Sequence, residues 1–353
     1  MIGGKKKCIG LIFGGNSNEH EVSISSAKTV YQAFNSGINR ERFTVKAFYI
    51  NKYGDWLDSD SSEKILIGEI EKNTKKQEIF NQEKINFLEG IEFQNVDVWF
   101  PLLHGFNGED GSIHGLLRFT KKPLVGCGII GSALGMDKIL MKTIFSNLKL
   151  PQVNYLVFQN EDLNDKEVKN KITNEILKKL NFPVFVKPSN SGSSLGISKV
   201  INESGLLQAL EKARGIDPRI LIEEGLEVRE IECGIIGNSK LLTSEIGEVN
   251  YESDWYDYDS KYHSNNKIII PAKIDSKIAK EIKEIAIKSC RALNIFGFAR
   301  VDFFLEKSTN KILLNEINTI PGFTKNSMFP MLWKASGLNI EQLVAKLVDI
   351  SLD

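Results

Sequence analysis

The chain has 353 residues, with 45 Lys+Arg against 45 Asp+Glu and 42% apolar side chains. At roughly 100–200 residues per domain this predicts two or three domains, each able to bury its own core. A formal net charge of zero excludes the strong basic footprint of a nucleic-acid-binding chain and gives no support for a basic membrane-surface protein. No nucleic-acid or membrane partner is therefore expected.

Cys8, Cys127, Cys233 and Cys290 are scattered without a CxxC pair, which argues against a zinc ribbon or a dense disulfide framework. Such usage fits a reducing cytosol, and a cytoplasmic protein is expected. The lysine-led start resembles a signal peptide superficially, but its apolar run Cys8–Phe13 falls short of the roughly 7–15 residues needed. No run approaches the ~18–20 apolar residues of a membrane span.

In chain order, Cys8–Phe13 followed by Gly14-Gly15 predicts a buried parallel strand feeding a turn. Ala27, Val30, Tyr31 and Phe34 then recur at helical spacing, with Gly37 as a stop. Phe43–Ile50 and Val96–Phe100 predict further strands, so the first unit is α/β with a parallel sheet. The charged stretch from about Gly54 to Asn95 is expected to be an insertion with some helix. A second unit starts near Cys127. Its helix carries Met141, Ile144, Phe145 and Leu148 and ends at Pro151. Strands are predicted at Val153–Phe158, Pro183–Lys187, Ile197–Val200 and Arg219–Glu223, with a helix near Lys166–Leu180. From Glu224 a third unit shows strands at Glu230–Ile236, Phe298–Leu305 and Lys311–Ile317 and a long helix over Ser276–Leu293. The last two strands read as a hairpin.

Four segments carry the chemistry. Strand alternation puts Glu316 and Asn318 on one face, and Arg300 and Asp302 likewise on the neighbouring strand. Two carboxylates and an amide oxygen, with no His or Cys close by in sequence, are hard donors suited to Mg²⁺. The alternative is a solvated sheet face with ordinary ion pairs. The run Ser189-Asn190-Ser191-Gly192-Ser193-Ser194-Leu195-Gly196 hangs between two strands with Lys187 at its base. Its backbone N–H groups and hydroxyls can surround a polyphosphate, although such runs are also ordinary surface loops. Arg219–Leu226 is a strand ending in acid, acid, Gly, apolar. It can offer a carboxylate and backbone groups to a purine, or be a charged strand edge. The fourth segment is split. Gly14–Ser23 leads into a helix start, where a plain N-cap explains Ser23. His104–Gly111 follows a strand at the carboxyl edge of a sheet, where open α/β sheets bind ligands. The loop Asn318–Thr324, with Ser327 beyond, follows directly on the proposed metal ligands.

The motifs Gly14-Gly15…Glu19-His20-Glu21-Val22-Ser23, His104-Gly105…Gly108-Glu109-Asp110-Gly111, Met136-Asp137-Lys138, Val186-Lys187-Pro188, Gly192-Ser193-Ser194-x-Gly196, Tyr256-Asp257-Tyr258…Lys261-Tyr262, Arg300-Val301-Asp302 and Asn315-Glu316-Ile317-Asn318-Thr319-x-Pro321-Gly322-Phe323-Thr324 occur in one order. Together they closely resemble the D-alanine–D-alanine ligase family of ATP-grasp ligases, from about Cys8 to Leu347. The sequence departs from the family's usual residues at His20, His114 and Arg118.

The resemblance implies an ATP-grasp fold: an N-terminal parallel α/β domain (1–126) and two α+β subdomains (127–223 and 224–353) clasping ATP. It implies that Lys138, Lys187 and Ser194 hold phosphates. Glu223 and the backbone of Glu224 and Leu226 would hold adenine, and Glu230 the ribose. Asp302, Glu316 and Asn318 would bind two Mg²⁺ ions, with Mn²⁺ a possible substitute. Arg300 and the Gly322 N–H would stabilise an oxyanion. Glu19, Ser193 and Tyr262 would anchor the first D-alanine and lock a lid, with His104 near its carboxylate. Lys261 and Ser327 would bind the second D-alanine, and a homodimer is implied. The implied alternatives are a D-alanine–D-lactate ligase or another carboxylate–amine ligase of the same fold.

Overall fold

The computed structural model describes residues 5–69, 84–85, 95–159, 165–250 and 267–353. The first apolar run becomes β1 (Lys7–Gly14), buried from Ile9 onward. It lies between β2 (Phe43–Ile50) and β5 (Val98–Pro101) and is parallel to both. Two short antiparallel strands, β3 (Trp56–Leu57) and β4 (Lys84–Ile85), extend this sheet in the order β4-β3-β2-β1-β5. The described parts of the expected insertion thus include sheet as well as the helix Ser59–Ile67. Gly14 is required at the end of β1. Its φ is +94°, and a Cβ there would sit 2.1 Å from the Ile50 carbonyl oxygen.

The helix His20–Phe34 buries Ile24, Ala27, Val30, Ala33 and Phe34 on the face predicted by their spacing. Ser23 does not cap it. It is the fourth residue of the helix, and its hydroxyl accepts from Gly14 N at 2.8 Å and donates to the Leu102 carbonyl at 2.5 Å. The side chain therefore pins the ends of β1 and β5 together. Only the tertiary partners could reveal that role.

The second sheet contains β6 (Tyr155–Gln159), β7 (Val184–Pro188), β8 (Ser198–Val200) and β9 (Arg219–Glu224), all antiparallel, in the order β6-β9-β7-β8. The helices Lys166–Lys179 and Leu206–Arg214 bury Ile172, Ile176, Leu206 and Leu210 against it. The third sheet is also antiparallel: β10 (Val228–Gly237), β11 (Leu242–Asn250), β12 (Lys267–Ile269), β13 (Gly297–Glu306) and β14 (Ile312–Asn318), in the order β12-β11-β10-β13-β14. The predicted hairpin is β13–β14, with a register shift between Asp302 and Phe303. Sequence patterning does not mark β11 or β12. The helix Ser276–Ala292 covers this sheet, and Met141 and Phe145 of the helix Lys138–Asn147 pack into the same core.

A cluster of aromatic rings joins the first and third sheets. Phe100 of β5 lies 6.3 Å from Phe298 of β13 and 6.2 Å from Phe323, ring centre to ring centre. All three rings are fully buried. Truncating one to Ala costs about 3–5 kcal/mol in comparable cores. This contact fixes the loops after β1 and β5 relative to the loop after β14. Among the described residues, no helix is long and apolar enough to cross a membrane.

Candidate active site

Directly opposed residues of an antiparallel pair point to the same face. Arg300 opposes Asn318 and Gly234, and Asp302 opposes Glu316 and Glu232. Arg300, Asp302, Glu230, Glu232, Glu316 and Asn318 therefore share one face. Val301, Phe303, Ile231, Cys233 and Ile317 fill the core on the other. The Arg300 guanidinium donates to both Asp302 oxygens, from Nε and Nη2 at 2.7 Å each, and Nε is also 2.8 Å from Glu232 Oε2. Asn318 Nδ2 donates to Asp302 Oδ2 at 2.8 Å. Burial opposes the charge on Arg300, but Asp302 and Glu232 outweigh it and keep the group firmly cationic.

Among the described residues, no three or more His, Cys, Asp or Glu side chains converge as a ready-made metal site. Asp302, Glu316 and Asn318 provide hard oxygen donors for Mg²⁺, and phosphate oxygens would complete the set. The donor types fit, but here both Asp302 oxygens are held by Arg300 and Asn318.

A cluster of buried lysines adjoins this face. Lys138 Nζ lies 4.0 Å from Glu316 Oε2 and donates to the Ser191 carbonyl at 2.5 Å. Burial and Lys187 depress its pKa, although Glu316 opposes the shift. Lys187, at the base of the Ser189–Gly196 loop, is paired with Glu223 Oε2 at 2.5 Å. Lys142 Nζ lies 2.6 Å from Glu223 Oε1. Burial alone would raise the Glu223 carboxyl, yet the two lysines hold it down to about 2. Glu224 points elsewhere: its carboxylate accepts from Asn154 Nδ2 at 2.7 Å and Asn181 Nδ2 at 2.6 Å, leaving only backbone groups for a base. Leu226 lies just beyond β9, and Glu230 stands on the polar face of β10.

Sequence reasoning missed Lys142, Glu232 and the support under Lys138. Asp137 caps the helix Lys138–Asn147 through Leu140 N at 3.0 Å, and also accepts from Ser189 Oγ at 2.8 Å and Arg219 Nη1 at 2.5 Å. It thereby fixes the first lysine beside the Gly/Ser loop. The spacing of Lys138 and Lys142, which puts both on one helix face, was the available signal.

In that loop Ser193 and Ser194 both have positive φ, +50° and +59°, an uncommon backbone for non-glycine residues. Glu19, just before the helix His20–Phe34, approaches it. A Cβ added at Gly192 would lie 3.1 Å from Glu19 Oε2, and one at Gly105 would lie 2.9 Å from it. The structure thus brings Glu19, the Gly/Ser loop at Gly192 and the His104 loop together. His104 is buried, with Nδ1 2.9 Å from the Ile320 carbonyl and Nε2 2.9 Å from Ser26 Oγ. Phe323 N donates to the same Ser26 hydroxyl at 3.1 Å. His104 therefore braces the loop that contains Gly322. Ser327 Oγ is 2.8 Å from Thr324 Oγ1, and a Cβ added at Gly322 would lie 3.0 Å from it. Lys261 and Tyr262 lie outside the described residues.

The departures His20, His114 and Arg118 divide cleanly. His20 is buried, with Nδ1 2.5 Å from the Gly15 carbonyl and Nε2 2.9 Å from Tyr49 Oη, so it supports the Gly14-Gly15 turn. Arg118 is exposed at the end of its helix. His114 is 4% exposed, and burial, partly offset by Asp110, pushes its pKa down to about 4. The folded chain therefore binds fewer protons than the unfolded chain between pH ~6.5 and ~4. Stability due to neutral His114 is lost as pH falls through that window, by about 3 kcal/mol in all. Denaturant titrations of wild type and His114→Asn at pH 7 and pH 4.5 should show a smaller acid-induced loss in the variant.

Two antiparallel sheets with lysines from one side facing carboxylates on the other define an ATP-grasp enzyme. Residues 8–127 match the family model described as "D-ala D-ala ligase N-terminus", and residues 144–349 the one described as "D-ala D-ala ligase C-terminus". The chain belongs to the D-alanine–D-alanine ligase family. It is 91% identical to "D-alanine--D-alanine ligase" of Prochlorococcus marinus (strain MIT 9301), over 100% of both chains. Among solved structures it is similar to the "VanG D-Ala:D-Ser Ligase from Enterococcus faecalis", with TM-score 0.81 and 34% identity, covering 98% of this chain and 100% of that one. The "D-alanine-D-alanine ligase from Coxiella burnetii" matches with TM-score 0.82 and 28% identity, covering 99% of this chain and 95% of that one.

Proposed function

We propose a division of work among these residues for a chain that, with its family, ligates two D-alanine molecules to D-alanyl-D-alanine at the expense of ATP, for peptidoglycan precursor synthesis. ATP lies between the central subdomain (127–223) and the C-terminal subdomain (224–353), with residues 1–126 as the N-terminal domain. Lys138, Lys187 and Ser194 hold its phosphates, Glu223 and the Glu224–Leu226 backbone the adenine, and Glu230 the ribose. Asp302, Glu316 and Asn318 are the residues that would hold two Mg²⁺ ions. Ions held there would supply charge neutralisation at the phosphates and polarisation of the transferring group.

The γ-phosphoryl group passes to a carboxylate oxygen of the first D-alanine, giving an acyl phosphate and ADP. The amine nitrogen of the second D-alanine then attacks the acyl carbon, loses a proton, and inorganic phosphate leaves. Arg300 and the Gly322 N–H are placed to stabilise the oxyanion between these events. Glu19 and Ser193 hold the first D-alanine, with His104 fixing the adjoining loop. Tyr262 and Lys261 are assigned to the lid and the second carboxylate by resemblance, and Ser327 by its place beside Gly322.

The observation that supports this reading best is the single sheet face of Arg300, Asp302, Glu316 and Asn318, set against Lys138. Purified enzyme with ATP, Mg²⁺ and D-alanine should yield D-alanyl-D-alanine and ADP, identified by mass. A chelator should stop the reaction, and Mg²⁺ or Mn²⁺ should restore it. D-serine and D-lactate belong in the same assay, because one similar structure is of a D-Ala:D-Ser ligase. A mixed product predominating over the D-alanine dipeptide would reassign the acceptor. Sedimentation tests the proposed homodimer.

A further inference from the structure

Glu223 is a fully enclosed carboxylate with two cations, and the two are not equivalent. Lys187 stands at the base of the Gly/Ser loop, where a polyphosphate would share it. Lys142 stands one helical turn beyond Lys138, is 1% exposed, and has its ammonium 5.6 Å from the centre of the Tyr155 ring. Its contact with Glu223 Oε1 is a close ion pair at 2.6 Å, while Lys187 takes Oε2 at 2.5 Å. A buried carboxylate with its charge balanced has about four lone-pair sites, more than two lysines take, and so can still accept from an incoming N–H donor.

We infer that Lys142 is a positioning residue for nucleobase selection: it is the cation that remains with Glu223 when phosphates draw Lys187 away, and it keeps that carboxylate an anionic acceptor for the 6-amino group of adenine. This inference rests on the reading that Glu223 faces the base. An ionised Glu223 accepts from a 6-amino purine and repels a 6-oxo purine, which presents an oxygen there. Without Lys142, a buried carboxylate left alone takes up a proton. As a carboxylic acid it donates, and a 6-oxo group becomes acceptable.

The test compares equilibrium binding of ATP and ITP to wild type, Lys142→Met, Lys142→Arg and Glu223→Gln, with Mg²⁺ present and D-alanine omitted. Calorimetry in buffers of different ionisation heat counts the protons taken up. In Lys142→Met the ATP/ITP preference should fall by about tenfold or more, the scale of discrimination lost when a polar complement is spoiled. ATP binding to that variant should carry uptake approaching about one proton that the wild type lacks. Lys142→Arg should restore most of the preference. If Glu223→Gln changes the preference while Lys142→Met changes neither preference nor proton count, the inference is overturned and the adenine reading stands. An unchanged preference in Glu223→Gln overturns the adenine reading, and the inference with it. Should Lys142→Met fail to fold, Lys142→Met/Glu223→Gln removes both charges together. Its preference should equal that of Glu223→Gln alone, and any further change would overturn the inference.

Discussion

Glu316→Gln should abolish measurable turnover and weaken Mg·ATP binding while leaving the protein folded. The substitution keeps shape and removes one of the two carboxylates proposed to hold the metals, along with the anion 4.0 Å from Lys138 Nζ. The charge that gathers the metal ions, and through them the transferring phosphoryl group, falls at the point where the reaction needs it most. Half-buried at the end of β14, Glu316 carries little of the core, so thermal unfolding should shift only slightly. Turnover, Mg·ATP affinity and thermal unfolding should be measured on the same preparation. Near-wild-type turnover at ordinary Mg²⁺ would remove Glu316 from the site.

Arg300→Met should lower kcat by roughly 10²–10³, about 2.7–4 kcal/mol, the scale for losing one oxyanion donor. ATP affinity should change little, because no nucleotide contact is assigned to this residue. The geometry adds a condition. Arg300 also neutralises Asp302 and Glu232, so Met leaves those carboxylates without their cation. Lys at this position keeps a charge but not the two-pronged grip on Asp302. An intermediate kcat in Arg300→Lys, with Mg²⁺ affinity near that of wild type, separates oxyanion stabilisation from support of Asp302. A defect confined to KM would assign Arg300 to substrate binding.

Several parts of the molecule are legible in the sequence alone. The run Cys8–Phe13, the helical spacing of Ala27, Val30 and Phe34, and the alternation through Phe298–Leu305 and Lys311–Ile317 each became the expected element. These signals are local, because the periods of strand and helix are properties of consecutive residues. The same alternation placed Glu316 with Asn318, and Arg300 with Asp302, on shared faces. The motif order pointed to the family across nearly the whole chain.

What the spacing could not supply were partners brought together by packing. Nothing in the helical stripe of Met141, Ile144, Phe145 and Leu148 singles out Lys142, yet it pairs with Glu223 on a distant strand. Asp137 and Arg219 are 82 residues apart in sequence and meet beneath the Gly/Ser loop. Ser23 passed for a helix cap until the ends of β1 and β5 converged on its hydroxyl. His104, expected beside a substrate carboxylate, has both ring nitrogens engaged within the protein. Periodicity settles which way a side chain faces, whereas its partner across the fold depends on how three sheets dock. Here the buried rings of Phe100, Phe298 and Phe323 fix that docking between the first and third sheets, and the resulting enclosure decides which charges must pair.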